Sequence, residues 1–281
     1  MQVLPVQESG GWLMATITEF EVGYCTHIGC MALKGAGVKV CKFPARAWLL
    51  EVGDKRWLWD TGYSDWFGSA TRQGVFRIYR HMTPVHFSSH QALVSQLQAC
   101  GLNARDLTGI ILSHFHADHV AGLRDFPGVT SICSGEGWQQ VRALRGFRAL
   151  RQAFIPALIP PEFESSLQFI EAFRLVELPG ELSPFTQGYV LPGSEGQIFL
   201  VPLPGHAPGH IGAFVKTDDS WVLLASDAAW SATSYRELRG PARLAHLVMG
   251  NPQQFYQTLQ RLHTLSQCGQ VTIRLCHEGD L

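Results

Sequence analysis

The chain has 281 residues, 46% hydrophobic and 16% charged, with a formal net charge of −1. That length and apolar content suit a folded domain with a sizeable core and exclude a disordered chain. A near-zero net charge offers no basic excess for a nucleic acid, and no apolar run is long enough to cross a bilayer. The opening MQVLPVQESGGW lacks a charged start followed by an apolar core, so no signal peptide is expected. Seven scattered cysteines, an odd number, fit reduced thiols and a cytoplasmic location better than a disulfide framework.

Residues 12–22 alternate, with Ile17, Phe20 and Val22 as apolar members, and predict an early strand. Residues 47–52 and 57–59 predict a hairpin turning at Gly53 and Asp54. Residues 62–86 are aromatic and irregular, with Trp66, Phe67, Phe76 and Tyr79. Residues 89–100 predict a helix with Leu93 and Leu97 on its apolar face and Gly101 as its stop. A short buried strand is expected at 109–112. A basic helix is expected at 135–150, with Arg142, Arg145 and Arg148 in solvent, followed by a Pro-punctuated stretch at 151–194 that contains IPALIPP. Together 135–194 are expected as a helical insertion in a single domain spanning 1–281. Strands resume at 197–203, 211–216 and 221–225. The last helix starts with Asn251 as N-cap and Pro252 as its first residue and stops at Gly269; a final strand covers 271–275. Strands at both ends interrupted by helices predict an α/β fold, an αββα sandwich.

The decisive segment is Ser113-His114-Phe115-His116-Ala117-Asp118-His119, directly after the strand at 109–112. In an extended loop His114 and His116 project to one side. Asp118 and His119 then enter a turn and can face a second metal. Imidazole suits zinc, and a carboxylate binds metal or handles protons. A lone HxH is weak evidence; the full string is a strong signal. The placement repeats along the chain: Asp60 lies beyond 57–59, His206 beyond 201–203, Asp227 beyond 221–226 and His277 beyond 271–276. Strands stacked side by side would bring these groups to one edge, where layered α/β proteins place their sites.

These motifs resemble the metallo-β-lactamase superfamily. WDTG at 59–62, HFHADH, PGHAPGH at 204–210, the SD of LLASDAA, and CHEGD follow in that family's order, over roughly residues 12–280. The resemblance implies a four-layer αββα sandwich. It implies one metal on His114, His116 and His206, a second on Asp118, His119 and His277, and Asp227 bridging them. Asp60 would orient a ligand histidine, and His210 would support rather than ligate. Two Zn2+ per chain are expected, with Mn2+ or Fe2+ as alternatives. Cys276 reads as core. Cys25, His27 and Cys30 offer only three groups, too few for a closed metal site. The arginines of 142–151 read as a solvated helix face.

The implied chemistry is hydrolysis by a hydroxide held between the metals, with Asp118 as the catalytic residue that orients it and passes its proton to the leaving group. Asp227 argues against true β-lactamases, which lack that aspartate. His116 argues against flavodiiron oxidoreductases, which carry a glutamate there. The layout is most similar to N-acyl homoserine lactonases, with one departure: their tyrosine three residues after the bridging aspartate is Trp230 here, and Tyr235 is the nearby candidate to replace it. The expected substrate is a small apolar acyl lactone or ester, with Trp230, Tyr235, Phe67 and Tyr79 as binding residues. Thioester, β-lactam or phosphodiester hydrolysis on the same site is the alternative, and a mononuclear-iron oxidoreductase like the persulfide dioxygenases is another. A small-molecule substrate, no nucleic acid, no membrane, and a monomer or homodimer complete the expectations.

Overall fold

The computed structural model describes residues 14–279, so the start of the early strand and Asp280 of CHEGD lie outside the described residues. Two sheets form the centre. The first contains β1 (Thr16–Ile28), β2 (Val40–Val52), β3 (Lys55–Trp59), β4 (Val85–His86), β5 (Gly109–Ile111), β6 (Ser131–Cys133) and β7 (Leu167–Phe169), in the order β4-β1-β2-β3-β5-β6-β7. The second contains β8 (Leu175–Glu177), β9 (Gln187–Val190), β10 (Ile198–Pro202), β11 (Ile211–Lys216), β12 (Trp221–Ser226) and β13 (Val271–Leu275), in the order β13-β12-β11-β10-β9-β8.

The period-2 geometry of strands sorts the side chains into layers. In β3, Trp57 and Trp59 enter a cluster shared with Ile198 and Leu200 of β10 and with Val222 and Leu224 of β12; this is the layer between the sheets. Leu58 points the other way, into a cluster with Leu93, Leu97 and Val141 from the helices on the first sheet. Phe199, Val201, Leu223 and Ala225 face Leu259, Leu262 and Leu265 of the last helix, Pro252–Gln267. Strands apolar on both faces and helices apolar on one give the four layers. Each fully buried Leu contributes about 1.5–3 kcal/mol relative to exposure, so the two-sided burial of β10 and β12 anchors the second sheet.

Local departures have physical causes. The helix expected at 89–100 is a short turn at Ser89–Gln91 and a helix at Leu93–Ala99, because Ala92 is extended (ψ 137°) after a Ser88–Gln91 capping box closes the turn. The basic helix is two helices, Gly135–Val141 and Gly146–Arg151, broken where Arg145 is extended and Gly146 adopts φ +55°. The expectation that 135–194 is a helical insertion is corrected beyond Arg151. Prolines 156, 160, 161, 179 and 184 lack the N–H that a growing helix needs. The short apolar runs between them pair with open sheet edges: β7 beside β6, β9 beside β10, and β8 beside β9.

Strand direction fixes where the site lies. β3 and β5 run parallel, as do β12 and β13. Two antiparallel steps through β11 bring β10 into the direction of β12. Within each sheet, the strands that precede the polar motifs therefore end on one edge. Ile211 N–H donates to the Ser113 carbonyl at 2.9 Å and ties the sheets together there.

Candidate metal centre

Asp60 follows β3 and adopts φ +59°, with its carboxylate fully buried. It accepts from Ser113 N–H (2.8 Å) and Ser113 Oγ (2.7 Å) and contacts His119 Nδ1 at 2.7 Å. A carboxylate only accepts, so Nδ1 of His119 carries a proton and Nε2 is the nitrogen left facing the other donors. That Nε2 is buried and has no hydrogen-bond partner. His277, just beyond β13, is fixed likewise: its Nδ1 lies 2.7 Å from the Pro44 carbonyl, and its Nε2 faces Asp118 Oδ2 (3.0 Å) and Asp227 Oδ2 (3.1 Å). His114 Nδ1 meets Ser113 Oγ at 3.0 Å, and its Nε2 is buried without a partner.

The loop at 204–210 delivers His206. Two glycines let it approach its neighbours closely. A Cβ on Gly205 (φ +126°) would lie 2.1 Å from the Phe255 backbone nitrogen, and one on Gly209 (φ +60°) would lie 2.3 Å from that of Gly137. Only glycine lets the loop sit pinned between the last helix and the helix at Gly135–Val141. His206 Nε2 then lies 3.0 Å from His116 Nδ1 and 3.2 Å from Asp227 Oδ2.

Two donor groups result. His114, His116, His206 and Asp227 form one; His119, His277, Asp227 and Cys276 form the other; within each, the donor atoms lie within 4.8 Å of one another. Asp227 belongs to both. Asp118 joins the second through His277 and lies 3.7 Å from His119 Nε2. Burial raises the Asp118 pKa, but His119 and His277 outweigh it and hold the carboxyl at about 2. Asp227 is likewise held well below the carboxylate range, against its burial, by His277 and His119. Burial, then mutual repulsion among the rings, keeps His114 and His116 well below the usual histidine value. His119 and His277 are raised well above it despite burial, chiefly by Asp60 and Asp227 respectively. Buried polar atoms are normally paired. Here His114 Nε2, His119 Nε2, His206 Nδ1 and Asp227 Oδ1 are buried without partners in one cluster. Nitrogen and carboxylate donors so placed fit divalent cations.

The remaining expected residues separate clearly. His210 spends both ring nitrogens on protein: Nδ1 contacts the Leu203 carbonyl at 3.1 Å, and Nε2 accepts from Asp227 N–H at 3.3 Å. Burial lowers its pKa to about 3, so it braces the loop as a neutral ring. Trp230 stands edge-on to His206, centroids 5.4 Å apart, and its indole N–H donates to Asp227 Oδ2 at 3.3 Å. Phe67 packs edge-on against Tyr79 at 5.8 Å. Burial raises the Tyr79 pKa, and the Asp118 charge adds to that. Tyr235 is buried in the cluster under the last helix, with Leu259 and Leu262, rather than among the donor groups.

Sequence reasoning missed Ser113, Ser226 and Pro44. Ser226 accepts from Trp59 Nε1 at 2.9 Å and reaches Asp60 Oδ2 at 3.3 Å. Ser113 and Ser226 carried a signal, since each stands at a strand end one residue before a motif His or Asp. Pro44 acts through its carbonyl, which no side-chain pattern reveals.

Residues 42–265 match the family described as the metallo-beta-lactamase superfamily. The chain belongs to that superfamily. It is 26% identical over 205 residues to a probable metallo-hydrolase of Mycobacterium tuberculosis, covering 72% of this chain and 61% of that protein's length, so the relative extends well beyond the match. It is 26% identical over 192 residues to the N-acyl homoserine lactonase AttM of Rhizobium radiobacter, covering 68% of this chain and 65% of the relative. In three dimensions it is similar to an N-acyl homoserine lactone hydrolase solved with N-hexanoyl-L-homoserine at its catalytic metal centre (TM-score 0.71, 20% identity, 95% of this chain and 94% of that one). At that identity the likeness establishes the shared fold.

Proposed function

We propose that this chain is a metal-dependent hydrolase of small-molecule lactone or ester bonds that works with two zinc ions. The observation that carries this reading is Asp227, one carboxylate shared by two groups of buried donors. His114, His116 and His206 would hold one ion, His119, His277 and Asp118 the other, and Asp227 would bridge them. When bound, such a pair supplies Lewis acidity to water and to the substrate's carbonyl oxygen.

The chain's own residues do the rest. Asp118, ionised and 3.0 Å from His277 Nε2, takes a proton from the attacking water and hands it to the leaving alkoxide. Trp230 spends its N–H on Asp227, so toward the substrate it offers an apolar ring rather than a hydrogen bond. Phe67 and Tyr79 supply apolar surface on the Asp118 side. No binding role is proposed for Tyr235, given its burial under the last helix. The lactonase relatives support a lactone or ester. All seven cysteines are free, which supports a reducing, cytoplasmic compartment. Among the described residues no helix is long and apolar enough to cross a membrane.

The test is a panel of lactones, esters, thioesters, β-lactams and phosphodiesters with metal-loaded protein. kcat/KM should rise with acyl-chain length, because each buried methylene adds about 0.8 kcal/mol, roughly fourfold. A flat series, or a phosphodiester cleaved faster than every ester, overturns the acyl reading; one iron per chain in place of two zincs turns it toward redox chemistry.

A further inference from the structure

Two short helices, Phe76–Met82 and Gly146–Arg151, lie against each other over the first sheet. Phe76 and Tyr79 from one and Ala149 from the other turn inward to the core. The outward set is different in kind. Phe147 is 72% exposed, Met82 64% and Ile78 40%. Around them stand exposed Arg77, Arg80, Arg148 and Arg151. The segment 72–82 holds three arginines and 142–151 holds four, and neither holds an Asp or Glu. With an overall charge of −1, the rest of the chain is therefore net acidic. Among the described residues, Glu164 beside Arg142 at 3.2 Å is the one carboxylate paired with an arginine of either segment.

Apolar side chains exposed on two adjoining helices and ringed by arginines are a reason to look for a contact surface here. Guanidinium groups are weakly hydrated and grip phosphate through paired donors. Arginines flanking protruding Phe, Met and Ile match the boundary of an anionic bilayer, where phosphates lie above acyl chains. A nucleic acid would satisfy the arginines but leave the apolar side chains against phosphates and water. We propose that this face docks on anionic phospholipid bilayers, its arginines on the phosphates and Ile78, Met82 and Phe147 in the headgroup boundary. The expectation of no membrane partner rested on the missing apolar span, and a surface patch needs none. Tyr79, on the inner side of the same helix, packs on Phe67 and feels the Asp118 charge, so docking would hold this side of the proposed centre near an interface where apolar acyl compounds concentrate. That last link rests on the acyl-hydrolase reading; docking itself does not.

Vesicle co-sedimentation of the full, metal-loaded chain reads docking without turnover. Wild type should sediment with vesicles of phosphatidylcholine and phosphatidylglycerol in equal parts, not with phosphatidylcholine alone, and salt should release it. Each arginine near the surface is worth roughly fivefold in partitioning, so R80Q/R148Q/R151Q should bind about a hundredfold more weakly. R80K/R148K/R151K, which keeps the charge and guards against a folding artefact, should retain most binding. M82S/F147S should bind severalfold more weakly at unchanged charge. Any of four results overturns the proposal: no sedimentation with anionic vesicles, equal binding to neutral ones, M82S/F147S indistinguishable from wild type, or a short single-stranded RNA that binds tighter and displaces the vesicles.

Discussion

The half of the proposed centre built on His119 and His277 is held differently from the half built on His116 and His206. In the first, each ring's Nδ1 is tied to a protein oxygen, Asp60 Oδ2 or the Pro44 carbonyl, both at 2.7 Å. Those bonds fix the tautomer and free Nε2 for a cation. In the second, His116 Nδ1 and His206 Nε2 face each other at 3.0 Å, and His206 Nδ1 has no partner; only His114 is braced, through Ser113. The difference follows the architecture. The first half is fixed by strand ends of both sheets, whereas His206 rides a glycine-pinned loop. Strand ends preorganise the first pair of ligands, whereas on the other side the glycine-pinned loop places His206 Nε2 against His116 Nδ1 and Asp227 Oδ2.

The largest effect should come from erasing what the halves share. Asp227→Ala removes a carboxylate that contacts His119, His206 and His277 at 3.1–3.4 Å. Elemental analysis should find metal content falling from about two per chain to one or fewer, with turnover lost; two retained metals would separate Asp227 from bridging. Asp118→Asn comes next. It keeps the shape and loses the charge and basicity, so kcat should fall roughly a hundredfold or more. Near-full turnover would remove Asp118 from proton transfer.

A smaller effect should expose the asymmetry itself. Asp60→Asn keeps a residue that tolerates the positive φ of this position. An amide nitrogen, however, can present N–H to His119 Nδ1 and drive the ring to the tautomer whose Nε2 is protonated. Affinity of the His119 side should fall about 10–100-fold, with the other side little changed. Chelator competition followed by metal count should then show one ion stripped early. Joint loss of both ions at a single chelator concentration would mean that the halves are not independently supported.

Much of this could be read from the sequence, for reasons visible in particular residues. The HFHADH string and the recurrence of His or Asp after apolar strands are local patterns, and β3, β5, β10, β12 and β13 formed where short apolar runs and turn chemistry placed them. The strands β7 to β9 were hidden because each is three or four residues long and becomes a strand only by pairing with an edge already present. Tyr235 was misplaced because its helical turn packs on the last helix, a contact set by tertiary structure. The N–H of Trp230 was legible as a donor, but that it is spent on Asp227 was not.

The smallest effect is expected from Cys276, and it bears on which groups complete the His277 half. Its sulfur lies among the second set of donors, so geometry alone offers it as a ligand in competition with Asp118. Its bonds argue otherwise. Sγ accepts from Arg46 N–H at 3.3 Å and donates to the Arg46 carbonyl at 3.5 Å, joining the end of β13 to β2. Burial pushes the thiol up to about 11, as suits a neutral side chain packed between β13 and β2. Arg46 also reaches the Cys276 carbonyl through its guanidinium at 3.1 Å, so the backbone leading to His277 stays anchored without the sulfur. Cys276→Ala should therefore cost about 1–2 kcal/mol of stability, from one buried bond and a small void. It should leave two metals bound and kcat within about twofold, a change worth only some 0.4 kcal/mol. Thermal unfolding and metal count on the same sample separate the outcomes: a modest loss of Tm with full metal content fits a packing thiol, whereas a stable protein short of one ion would make Cys276 a ligand and displace Asp118 from that set.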